Sequence, residues 1–356
     1  MKKQTLLVLF LVWMVSLPAL AGKAADKEVI KAYQLRMSGK VDEAKLLLDG
    51  VLSKDSTNAM AHFEMARLKH YLLLGGGAKM QEIQISINKA VSFDPQNVSY
   101  AYYKAIVCFL NSFMSMQTGS TEVKKQIDET CDQFKRVLSL KQDYYEASLY
   151  LVEIYGLLPK DMGGDSLKAV EYAKELAASS GYFGSRAKAI LAPKGTDLVK
   201  FWIDRLEHKN DANILTEIGK AYLNDGKPDQ AEKYFDEAMK SDPSRNIEIL
   251  DIARYHIYQV MRNKELTNKE LPIAKGYLEK YIHTVPEPCV PLKAYAIGLM
   301  TLTEMFQGNK TEADKLMEEA RSLDKYFSRA TGIPNLLLFD SPEQQMHHFF
   351  SFFSPF

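Results

Sequence analysis

Apolar positions along this chain recur at intervals of three and four, in blocks that close on glycine or proline. The clearest block is "ILTEIGKAYLNDGKPDQAEKYFDEAMKSDP", residues 214–243. Its spacing predicts two amphipathic helices. "NDGKPD" separates them, because Gly226 and Pro228 interrupt the pattern. Asp242-Pro243 ends the second helix, since a residue before proline resists the α region. Small Gly219, Ala231 and Ala238 let helices approach, while Tyr222 and Phe235 fill the space between units. The skeleton returns twice more. Gly39, Ala44, Leu48 and Val51 repeat the spacing of Gly226, Ala231, Phe235 and Ala238, and so do Gly308, Ala313, Met317 and Ala320. Ala274, Leu278, Tyr281 and Pro286 match the second helix, and Ala90 and Pro95 match its last turn. No alternating run of β-branched residues predicts a strand.

This helix–turn–helix skeleton resembles the tetratricopeptide repeat family, whose unit is about 34 residues. The resemblance implies an all-α, right-handed solenoid of helical hairpins, roughly seven to eight of them over residues 27–325. Several units depart from the standard length. One turn carries "GGGAK" (Gly75 to Lys79), and "LLPKDMGGDSLKA" (Leu157 to Ala169) is longer, like a turn found in some secreted bacterial members. Residues 181–210 match poorly, and "LAPKGTD" cuts them into short helices. Each hairpin leaves an apolar face that only its neighbours cover, so stacking is expected to build a curved superhelix.

The N-terminus adds a different kind of signal. Lys2 and Lys3 precede the apolar run Leu6 to Val15, and Ala19 to Ala21 offers a small-x-small cleavage site. A signal peptide over residues 1–21, cleaved after Ala21, is expected, with export to the periplasm or the extracellular space. The run is shorter than the roughly 20 residues that span a bilayer, so no transmembrane segment is expected in the mature chain. A repeat domain would then occupy residues 22–325, irregular in 181–210, followed by a tail over 326–356.

Charge excludes one class of partner. Lys plus Arg number 45 and so do Asp plus Glu, and no dense basic run appears, so nucleic acid is not an expected ligand. At 46% hydrophobic and 25% charged, the chain can bury a core. Three cysteines over this length make no disulfide framework or close-spaced zinc site. Cys108 and Cys131 are expected to stay unbridged, with Cys108 buried.

The resemblance also implies where a partner would lie. In this family the face beside the small residue of each first helix lines a concave groove that binds an extended or helical peptide. Around Ala66 that face carries Phe63, Arg67, His70 and Tyr71, and around Ala105 it carries Tyr102, Ile106, Phe109 and Leu110. Around Gly219 it carries Thr216, Lys220, Leu223 and Asn224, and around Ala253 it carries Leu250, Arg254, Ile257 and Tyr258. Aromatic and arginine side chains suit a binding hot spot. The candidate partner-binding set is Phe63, Arg67, His70, Tyr71, Tyr102, Lys220, Asn224, Arg254 and Tyr258. Two readings stand for all of them: contact with a protein or peptide, or packing against the next hairpin. Thr216 and Lys220 do not form the lysine–asparagine clamp of one subfamily.

Catalytic chemistry finds little foothold. The seven histidines form no HExxH, GxSxG is absent, "GGGAK" lacks the ending of a phosphate loop, and "MGGDS" reads as a helix start capped by Asp165 or Ser166. No cofactor, metal or catalytic residue is expected. The expected role is a non-catalytic binding scaffold. The alternatives are a subunit of an envelope transport or outer-membrane assembly complex, and a small-molecule binder or enzyme with a pocket in the irregular middle. The tail, with Phe349, Phe350, Phe352, Phe353 and Phe356, is expected to cap the last hairpin or to dock on a partner or membrane.

Overall fold

The computed structural model describes residues 25–327 except Gly75, His208 and Lys209. The predicted leader and the bulk of the aromatic tail lie outside the described residues. Within them every regular element is helical and no strand occurs. The residues fall into two compact units, divided between Lys104 and Ala105.

The first unit comprises α1 (25–37), α2 (Val41–Lys54), α3 (Ala59–Leu74), α4 (Met80–Phe93) and the opening of α5 (Val98–Gln117). α2 buries Val41, Ala44, Leu48 and Val51, one stripe at helical spacing. α4 does the same with Ile83, Ser86, Ile87 and Ala90. The turns between hairpins are closed by asparagine. Asn58 accepts the amide of Ala61, and Asn97 accepts those of Ser99 and Tyr100, so the exposed amides at each helix start are satisfied.

The second unit continues with α6 (Val123–Leu140), α7 (Tyr145–Leu157), α8 (Ser166–Ser179), α9 (Gly181–Ile190) and α10 (Leu198–Ile203). It closes with α11 (Ala212–Asn224), α12 (Pro228–Ser241), α13 (Glu248–Arg262), α14 (Thr267–Ile282), α15 (Val290–Gln307) and α16 (Lys310–Leu323). The hairpins α7–α8, α11–α12, α13–α14 and α15–α16 each pack closely as pairs. Asp165 caps α8 by accepting the amides of Leu167 and Lys168, as the sequence predicts.

The recurring glycine of the skeleton has a backbone reason. Gly39, Gly226 and Gly308 adopt φ of 78°, 73° and 83°, the left-handed region that a Cβ resists, and each turns the chain from a first helix into a second. Gly219 has a packing reason: a Cβ there would overlap the ring of Phe235. α12 buries Ala231, Phe235 and Ala238 as the pattern requires. In the last copy the pattern slips, because Leu316 is buried in α16 and Met317 only half-buried. Just beyond α16, Phe327 takes the place that a Cβ on Gly298 of α15 would need, so the chain folds onto its final hairpin as it leaves the repeats.

The irregular middle is where helices shorten. α9 has 10 residues and α10 has 6, against 13 in both α7 and α11. α9 packs on α7 and α8, whereas α10 packs on α11. Ala187 joins a core with Leu149, Val152, Ala173 and Leu176, and Trp202 and Val199 join another with Ile214, Ile218 and Ala221. No disulfide joins any of the three cysteines. The expectation of a buried Cys108 is corrected: it is only half-buried, because α5 buries Ala105, Phe109 and Ser112 and leaves Cys108 at the margin of that stripe, while Cys131 on α6 is the buried thiol.

Candidate functional site

In the first unit the predicted first-helix face of α3 forms a closed polar network. Arg36, fully buried, reaches Glu64 from α1 with Nε to Oε1 at 2.6 Å, and Arg67 meets the other carboxylate oxygen at 3.3 Å. Both guanidinium groups lie over the Tyr33 ring, at 5.3 and 5.4 Å from its centroid, and Arg67 also lies over Phe63 at 5.5 Å. His70 shares a 2.8 Å hydrogen bond with the Tyr103 hydroxyl. Burial, with Arg36 adding to it, lowers the His70 pKa to about 3, so the imidazole is neutral. Burial raises the Tyr103 phenol. Phe63 packs against Tyr100 and Tyr103 at 4.7 and 5.4 Å between centroids. Of the candidate residues in this unit, Arg67 and His70 are buried, and Phe63 and Tyr71 are half-buried.

The second unit places its candidates differently. Arg254 on α13 is half-buried and meets Asp251 at 3.3 Å, and Tyr258, one turn on, has the Arg262 guanidinium over its ring at 5.6 Å. Tyr102, in the second turn of α5 and still within the first unit, is buried. Lys220 and Asn224, near the end of α11, line a cleft of about 240 Å³.

That cleft is a product of the short helices. Its walls are the C-terminal parts of α7, α9 and α11, closed on one side by α10. Leu157, Ile190, Leu198 and Trp202 supply apolar surface, and Glu153, Arg186, Glu217 and Lys220 supply charge. Arg186 meets Glu217 with Nε to Oε1 at 3.3 Å, and the Tyr182 hydroxyl donates to the same oxygen at 3.0 Å. Lys220 approaches the fully buried Glu248 of α13 at 3.6 Å. Glu153 is 1% exposed, and its Oε2 has no hydrogen-bond partner among the described residues. Burial pushes the Glu153 pKa up to about 8, against the opposing pull of Arg186. Burial does the same to Glu248, also to about 8, against Lys220.

Sequence reasoning found Lys220 and Asn224 but missed Glu153, Arg186, Glu217 and Trp202. One signal was available. "YEASLYLVEIYGL" sets Glu153 in the middle of an otherwise apolar turn of α7, where an ionisable residue has to be accounted for by a partner or a function.

No protein-family model and no curated relative matches the chain. Among solved structures, a tetratricopeptide repeat protein from Parabacteroides merdae ATCC 43184 is 15% identical, over 91% of this chain and 99% of that one, with a TM-score of 0.35. MamA is 19% identical over 60% of this chain and 94% of its own, with a TM-score of 0.31. The tetratricopeptide domain of P58(IPK) is 13% identical over 91% and 95%, with a TM-score of 0.27. The fold is tetratricopeptide-like. Its own hairpins carry that statement, through the left-handed glycine at each of three turns and the Gly219–Phe235 contact between paired helices. No helix among the described residues is long and apolar enough to cross a membrane.

Proposed function

We propose that this chain is an exported, non-catalytic scaffold that holds a protein or peptide along the first-helix faces of its hairpins. The observation that carries the reading is the cleft in the second unit. There the ends of α7, α9 and α11 surround open space, and Lys220 and Asn224, two candidates one turn apart on α11, face it. Exposed or half-buried polar side chains on such a face suit a groove that a peptide enters and leaves. The N-terminal pattern supports export to the periplasm or beyond.

Cross-linking mass spectrometry in the native cell tests the scaffold. The expected result is a recurrent partner cross-linked near α11 and α13, lost in a Lys220→Ala/Asn224→Ala/Arg254→Ala/Tyr258→Ala chain that keeps its helicity. An unchanged set of cross-links in that chain would overturn it. Intact mass of the envelope fraction tests export: the chain should begin at Gly22, and a cytoplasmic chain that keeps Met1 contradicts it.

A second reading has one observation in its favour. The cleft lies against the irregular middle and holds several titratable groups close together, as a small-molecule site would.

A further inference from the structure

We infer that the cleft between α7, α9, α10 and α11 is a receptor for an alkylammonium or guanidinium group, held by the Glu153 carboxylate. Acidic and basic side chains around the cleft do not match in number. Glu153, Glu217 and Glu248 stand against Arg186 and Lys220, so acidic side chains outnumber basic ones by one. Arg186 is engaged by Glu217 and Lys220 by Glu248. Around Glu248, α13 adds Asp251 with Arg254, and the 3-10 turn before it adds Asp242 with Arg245, each a salt-bridged pair, so the excess is unchanged. α10 brings only Leu198 and Trp202 to the lining.

The surplus falls on Glu153. It lines the cleft, is 1% exposed, and has Oε2 without a hydrogen-bond partner among the described residues. Glu248 is buried too, but it does not line the cleft and no ligand reaches it there. A buried carboxylate oxygen left without a donor is costly, and a ligand that donates to it recovers that cost. The walls set the rest of the ligand. Leu157, Ile190, Leu198 and Trp202 match a methylene stem, and a volume of about 240 Å³ admits an amine with a short aliphatic chain. An anion would meet Glu153 and Glu217 beside an Arg186 guanidinium that Glu217 already holds. The amine could come from a lysine or arginine side chain of a bound peptide or from a free alkylamine. The proposal deepens the scaffold reading and rests on it only for that source.

Binding is coupled to a proton. Burial holds Glu153 neutral, and a cation binds the ionised form, so binding expels one proton below about pH 8. Titration calorimetry of the whole chain tests this with four probes: blocked Gly-Lys-Gly, Gly-norleucine-Gly and Gly-Glu-Gly tripeptides, and n-butylamine. The lysine tripeptide should bind at least about ten-fold more tightly than the norleucine one, and the glutamate one should not bind. Its affinity should rise up to about ten-fold per pH unit below pH 8 and level off above it, with about one proton released per ligand at pH 6.5. Glu153→Gln should abolish both the lysine preference and the proton release while leaving the circular-dichroism spectrum unchanged. Equal binding of the lysine and norleucine tripeptides, tighter binding of the glutamate tripeptide, or a lysine preference that survives in Glu153→Gln would each overturn the proposal. A lysine tripeptide that outbinds n-butylamine keeps the scaffold as the source of the amine. The opposite order, with the lysine-over-norleucine preference intact, retains the cleft and removes the peptide.

Discussion

Two buried polar clusters in this chain are built from the same residue types and end differently. In the first unit Arg36 and Arg67 share Glu64, so two cations close on one carboxylate beneath aromatic rings. In the second unit Glu153, Glu217 and Glu248 outnumber Arg186 and Lys220, and the unmatched carboxylate faces a cleft. The difference comes from helix length. Where α3 runs 16 residues beside α1 the polar groups are sealed in, and where α9 and α10 run only 10 and 6 they are left beside open space. Burial alone therefore does not tell a structural charge from a functional one; the balance of partners does.

The largest effect separates the clusters directly. Arg36→Ala leaves Glu64 buried with only Arg67 beside it and should cost about 3–5 kcal/mol in a urea titration. Glu153→Gln should cost nothing and should raise stability at pH 7, because the folded carboxyl is held neutral while the unfolded one ionises near 4.5. Similar losses from both would erase the distinction. Next comes the regular repeat that frames the cleft. Gly219→Ala drives a Cβ into Phe235 and should cost about 1–3 kcal/mol. Gly50→Ala, on a helix with open space around it, should leave the melt unchanged or raise it by up to about 1 kcal/mol.

Acid and base should then weaken the two clusters in opposite directions. Glu153 and Glu248 titrate near 8 when folded and near 4.5 when unfolded. The folded state keeps protons that the unfolded state has released, so their contribution falls as pH rises from about 4.5 to 8 and is flat above. His70 titrates near 3 when folded against 6.5 unfolded, so its contribution falls as pH drops below 6.5. Thermal melts from pH 4 to 9 should show both slopes. Above about pH 6.5 only the glutamates contribute a slope, so Glu153→Gln/Glu248→Gln should flatten the window from pH 6.5 to 8 and His70→Gln should leave it unchanged, its own effect lying below pH 6.5; a change from His70→Gln above that pH would refute the assignment. The smallest effect is at Asn224, which is exposed. Asn224→Ala should stay within about 0.5 kcal/mol of the parent in stability. It should still reduce partner cross-linking.

Much of the architecture was legible in the chain because it follows from local rules. A glycine needed for a left-handed turn, a small residue where helices touch and an aspartate before proline all announce themselves by position, as Gly226, Gly219 and Asp242 do. The cleft was half legible. Lys220 and Asn224 fall on a face that the repeat register defines, and the breaks around residues 181–210 marked where the stack would be irregular. Glu153, Arg186 and Trp202 come from α7, α9 and α10, and nothing in local spacing places them side by side.

The helices, their pairing into hairpins and the turns between them follow from the chain's local pattern, since they depend on periodicity and on backbone conformations within a few residues. Tertiary structure decided which charged residues are sealed and which remain available. That outcome depends on how many opposite charges distant helices bring to each carboxylate, and on whether the helices beside it are long enough to cover it. Glu64 and Glu153 look alike in the chain, and only packing gave one two arginines and the other an unpartnered oxygen.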